Sequence, residues 1–160
     1  MSNSVNCNIC STKLDSSNRL EGSSLCKKCY SHVLIGMRTC TREVVLEEIT
    51  QLRTLMGDLV STTRNYCEGV TESLTNLTPL SLRAALLVAT TVDQLGESAD
   101  EEIEVLEEFY KHLIRDDFRV TDLSSELLIR LWKSHLGSQL EILKPERIAD
   151  SILLEREGLL

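Results

Sequence analysis

Four of the six cysteines stand in two pairs, Cys7-Asn8-Ile9-Cys10 and Cys26-Lys27-Lys28-Cys29, with fifteen residues between them. A CxxC knuckle aims two thiolates at one point, and a spacer of this length lets the second knuckle complete a tetrahedron. Zn2+ is therefore the expected cofactor, with Cys7, Cys10, Cys26 and Cys29 as its ligands. The spacer is rich in turn formers and contains Gly22, which predicts a short hairpin, and the residues after Cys29 can open a helix. Disulfides would need an oxidising compartment. The first residues, Met1-Ser2-Asn3-Ser4, offer neither a basic nor an apolar leader region, so an intracellular protein of cytoplasm or nucleus is expected. A redox CxxC belongs in a βαβ setting that this stretch does not provide. His32 and Cys40 are reserve ligands, His32 reading as a surface residue of a helix and Cys67 as an ordinary half-buried thiol.

A knuckle, a hairpin and a second knuckle that opens a helix together resemble a treble-clef finger. The stretch Leu25-Cys26-Lys27-Lys28-Cys29-Tyr30-Ser31-His32 is similar to the second half of GATA-type fingers. The resemblance covers about a fifth of the chain and implies a one-metal, four-cysteine site. The inter-knuckle loop is shorter than in GATA fingers, and the tryptophan and dense basic residues used there on DNA are missing.

Charge divides the chain. Residues 1–43 hold six basic residues, Lys13, Arg19, Lys27, Lys28, Arg38 and Arg42, against three acidic ones, a net +3. The remaining residues carry eleven basic and twenty-two acidic side chains, a net −11. Those six cations are the candidate nucleic-acid contacts, since an acidic body repels a phosphate backbone. No apolar run is long enough to span a bilayer, so no membrane association is expected.

From Thr41 onward the apolar spacing is helical. Val45, Ile49, Leu52, Met56, Leu59, Thr63 and Tyr66 recur at alternating steps of four and three, a heptad seam. Thr41 reads as the helix start, with Glu43 and Glu47 at its positive end. One thin stripe needs a cover. Its narrowness points to self-association, with Val45, Ile49, Leu52, Met56, Leu59 and Tyr66 as the oligomer interface; the C-terminal body is the other candidate cover. Residues 69–78 read as a linker.

The rest is punctuated like a bundle of short helices. Thr78-Pro79 is an N-cap with proline at the first helical position, and Leu82, Ala85, Leu86, Ala89, Val92 and Leu95 continue to a stop at Gly96. Ser98 and Glu101 form a capping box before Ile103, Leu106, Tyr110 and Leu113. Thr121-Asp122 opens a third helix ending at Gly137, and Pro145 opens a last one ending near Gly158. The expected fold is mostly α: a zinc finger over 1–40, a coiled-coil-like helix over 41–68, a linker over 69–78 and a helical bundle over 79–160.

Chemistry is sparse in this half. His112 and His135 lack a nucleophile pattern, Asp116-Asp117 reads as solvated charge, and neither GxGxxG nor GxxxxGK[ST] occurs. A non-enzyme is expected. The leading reading is a zinc-binding homo-oligomeric adaptor whose C-terminal body docks a protein. The alternative is a transcription or replication regulator whose finger touches RNA or DNA. The layout of finger, oligomerising helix and helical body resembles pneumovirus transcription antiterminators and filovirus zinc-finger transcription activators. Those use a Cys-Cys-Cys-His finger, so none of their residues transfers.

Overall fold

A computed structural model describes residues 5–72 and 78–160. Among them are four α-helices and no strand: α1 (Lys27–Glu72), α2 (Pro79–Leu113), α3 (Ser125–Lys133) and α4 (Pro145–Arg156). Short 3-10 turns at Val120–Asp122, Gly137–Gln139 and Glu141–Leu143 connect the last three. No helix among the described residues is long and apolar enough to cross a membrane. The chain divides into two compact units. One comprises Met1–Val44 with Phe109–Leu160, the other Val45–Glu108.

Several element boundaries differ from the sequence reading. Helix α1 begins at Lys27, inside the second knuckle, where the Tyr30 N–H donates to the Cys26 carbonyl at 2.9 Å. Thr41 is therefore not a helix start. It is buried in mid-helix and its hydroxyl donates to the Met37 carbonyl at 2.8 Å, so Glu43 and Glu47 are not near a positive helix end. The physical reason is a buried stripe of Tyr30, Leu34, Thr41 and Val45 that extends the heptad spacing back across Gly36. The expected linker, 69–78, is helical as far as Glu72, and 73–77 lie outside the described residues.

The first unit is built from both ends of the sequence. Leu20, Tyr30, Leu34 and Leu154 form one buried cluster, flanked by Leu25, Met37, Leu159 and Leu160. Within this unit α3 starts at Ser125, not at Thr121. Ser124 is its cap, its hydroxyl accepting from the Leu127 N–H at 3.1 Å, while Thr121-Asp122 belong to the preceding 3-10 turn. Helix α3 ends at Lys133, before Gly137. That position is buried and takes glycine because a Cβ there would collide with the Leu131 carbonyl and the Ser134 hydroxyl. Helix α4 opens on Pro145 as expected, and Gly158 adopts the left-handed φ of +70° just beyond its end.

The second unit is a helical hairpin formed by the distal part of α1 and most of α2. Pro79 stands at the start of α2, and the Leu82 N–H donates to the Thr78 carbonyl at 3.1 Å. Gly96 does not stop this helix, and Ser98 and Glu101 are interior residues of it, not a capping box. Gly96 is buried, and a Cβ on it would lie 3.1 Å from Met56 Cε, so the residue serves close helix approach. Arg53 of α1 pairs with Glu107 of α2. The expected seam lies on the inner side of α1. Val45 and Ile49 are buried, Leu52, Met56 and Leu59 half-buried, and Tyr66 exposed. On α2 the half-buried Ala85, Ala89, Val92 and Ala99 flank Gly96 at the same four-three spacing, a seam of small side chains.

Candidate metal centre

Two backbone loops bring the four cysteines together. In the first, the Cys7 N–H donates to the Thr12 carbonyl at 2.8 Å and the Ser11 N–H to the Cys7 carbonyl at 2.9 Å. Ser11 takes the left-handed φ of 58° that closes so tight a turn. In the second, Arg19 and Cys26 form an antiparallel bridge around a turn in which Gly22 has φ of 77°. This is the hairpin expected of the spacer. The loops are joined by Asn8 N–H donating to the Ser24 carbonyl at 3.2 Å, and by burial of Leu14 against Cys7 and Cys26. Asp15 shapes the spacer, accepting from the Ser17 hydroxyl and from the Ser17 and Asn18 N–H groups. These bonds hold its carboxyl below the usual range.

The Sγ atoms of Cys7, Cys10, Cys26 and Cys29 all lie within 4.8 Å of one another, and those of Cys10 and Cys26 are 3.6 Å apart. A tetrahedron with metal–sulfur bonds of about 2.3 Å has edges of about 3.8 Å, so the four sulfurs are placed to share one metal ion. No cysteine among the described residues is in a disulfide. Cys40 and Cys67 lie outside the cluster, as does His32.

The thiols are not equivalent. Cys7 is lowered to about 6 by N–H groups of Cys10 and Cys26 directed at its sulfur, the latter at 3.3 Å. The Thr12 hydroxyl, 3.2 Å from Cys10 Sγ, holds that thiol below its ordinary value. Cys29 is pushed up to about 12 by its hydrogen bond with Cys26, by burial and by the neighbouring sulfurs. Crowded thiolates repel one another, and a divalent cation at their centre removes that penalty.

The cysteine cluster is tied into the body of the first unit. One turn into α1, the Tyr30 hydroxyl donates to the Asp150 carboxylate and accepts from Arg147, whose guanidinium lies 5.7 Å from the ring centroid. The Ser31 hydroxyl donates to the Leu159 carbonyl at 2.8 Å, and Lys27 forms an ion pair with Glu157. Tyr30, Arg147 and Asp150 were not legible as a group, because 120 residues separate Tyr30 from its carboxylate partner.

The six basic candidates divide into two sets. Lys27 is committed to Glu157 and to the Ser17 carbonyl at 2.9 Å. The Arg38 guanidinium donates to the Phe118 carbonyl at 3.0 Å and lies 6.0 Å from its ring centroid. Arg42 donates to the carbonyls of Leu113 and Arg115. Lys13, Arg19 and Lys28 are exposed, Arg19 Nε donating to the Ser23 carbonyl at 3.3 Å. Of the carboxylates considered for chemistry, Asp117 makes a two-pronged contact with Arg115, which holds it below the usual range.

No family model matches the chain, and neither a curated protein nor a solved structure is significantly similar to it. The four-sulfur cluster is consequently the firmest pointer to function.

Proposed function

We propose that the chain is a zinc-stabilised adaptor, with Cys7, Cys10, Cys26 and Cys29 holding a single structural Zn2+ in a treble-clef-like finger. The convergence of four sulfurs on one point carries this reading. An all-thiolate tetrahedron selects zinc or iron among common metals, and four protein ligands leave no open position for a reacting water. The paired spacing favours zinc.

The protein-docking reading is supported by where the cations go. Lys27, Arg38 and Arg42 spend their donors inside the first unit, which leaves a smaller basic surface for phosphate than the sequence displays. Helix α3 meanwhile exposes Ile129 and Trp132, three residues apart on one face. An exposed tryptophan with an aliphatic neighbour is the composition that anchors protein interfaces.

Two measurements test the proposal. Elemental analysis of chelator-free protein is expected to find one zinc per chain, lost in Cys26→Ser plus Cys29→Ser. Iron, or zinc retained by that variant, overturns the site. Titration of labelled RNA and DNA is expected to give only weak, salt-sensitive binding through the finger. Tight binding that Lys13→Glu plus Lys28→Glu abolishes would establish the nucleic-acid reading instead.

A further inference from the structure

Helix α2 carries its side chains the wrong way round for an isolated hairpin. From Pro79 to Ala99 its inner seam is made of small residues, Ala85, Ala89, Val92, Gly96 and Ala99, while the leucines of that stretch point to water; the large aliphatic residues from Ile103 onward are buried. Leu80, Leu86 and Leu87 are 77%, 69% and 69% exposed, and Leu82, Val88 and Leu95 are also exposed. Between Pro79 and Val92 the only charged residue is Arg83. A helix that is apolar on every side belongs in a core, and two helices cover only one stripe of each other.

We infer that the hairpin of the second unit, Val45–Glu108, pairs with the same hairpin of a second copy, completing a four-helix core on the leucine-bearing sides of α2. Three observations select a second copy as the occupant. The first is area. Each leucine or valine offers roughly 60–120 Å2 of apolar surface. With Leu55 and Val60 exposed on α1 of the same hairpin, the eight side chains offer roughly 500–1,000 Å2 in all. A stable dimer buries about 800 Å2 per partner, somewhat over half of it apolar, so one hairpin supplies what one side of a dimer needs. The second is charge. The chain is at −8, yet residues 79–92 contain no acidic group, so two copies meet there without the repulsion that acts between their acidic surfaces. The third is symmetry. A twofold interface must match itself, and a leucine surface whose one charged residue is Arg83 does so with little need of a complementary charge pattern.

This places the interface elsewhere than the heptad seam of α1, whose Met56 already packs on Gly96 within the hairpin. It is independent of the metal, so it stands or falls apart from the zinc proposal.

The test is sedimentation equilibrium of the metal-loaded full chain at tens of micromolar. The expected mass is that of two chains. Leu86→Lys plus Leu87→Lys is expected to halve it, with helical circular dichroism and metal content unchanged because both side chains face water. Should that variant lose helicity, the single Leu80→Glu, at the most exposed of these positions, is read instead and is expected to weaken association at least tenfold. A monomeric wild type overturns the inference. So does a dimer that survives these substitutions, or one dissociated by changes confined to Ile129 and Trp132.

Discussion

At the residue scale the four sulfurs show how neighbouring N–H groups prepare thiols for a metal ion. Cys7, lowered to about 6, is already a thiolate at neutral pH, whereas Cys29, at about 12, still holds its proton. Metal binding requires all four to ionise. Zinc uptake near neutral pH is therefore expected to release fewer than four protons, measured by calorimetry in buffers of different ionisation enthalpy. Release of four would show that Cys7 is not ionised beforehand. Acid returns protons to the thiolates, so affinity falls as pH falls.

At the element scale, glycine has two uses that look alike in a sequence. Gly158 follows a helix end with positive φ, while Gly96 sits inside α2 because Met56 needs the space. The two can be separated by substitution. Gly96→Ala asks only the flexible tip of Met56 to yield, and it removes an unfavourable helix-interior glycine worth about 1 kcal/mol, so stability is expected to hold or rise slightly. Gly96→Leu forces the helices apart and is expected to cost about 1–3 kcal/mol. Urea unfolding of both variants checks this; equal effects would mean that the seam is not tightly packed at Gly96.

At the scale of the whole molecule, the first unit joins the finger to the last helix. Tyr30 with Asp150 and Arg147, Ser31 with Leu159, and Lys27 with Glu157 all tie residues next to the four-cysteine cluster to the C-terminal segment. Leu20 and Tyr30 share a buried cluster with Leu154. Metal removal is therefore expected to loosen α4 as well as the finger. Hydrogen exchange before and after chelation should show faster exchange in Pro145–Arg156, by at least tenfold. Unchanged protection there, alongside an unfolded finger, would mean that the two fold independently. Tyr30→Phe removes the hydroxyl that bridges Arg147 and Asp150 while keeping the ring. It is expected to destabilise the first unit by about 1–3 kcal/mol, the worth of hydrogen bonds to two charged, half-buried partners. Thermal unfolding of the zinc-loaded variant reads that loss.

Features set by near neighbours were legible from the residues alone. Two knuckles of four residues place four thiols, Pro79 and Pro145 start helices, and period-four-and-three spacing marks α1 and the buried Ile103, Leu106 and Leu113 of α2. Tertiary structure decided which signals were obeyed. Thr41 resembles a cap but is buried inside a longer helix, and Gly96 and Ser98 resemble a boundary but lie where α2 continues. At Thr41 and Gly96 burial outweighs a local preference worth about 1 kcal/mol. The fate of Lys27, Arg38 and Arg42 was likewise outside local reach. Their charge is written in the sequence, but their partners, Glu157, Phe118 and Leu113, are brought to them only when the two ends of the chain fold into one unit.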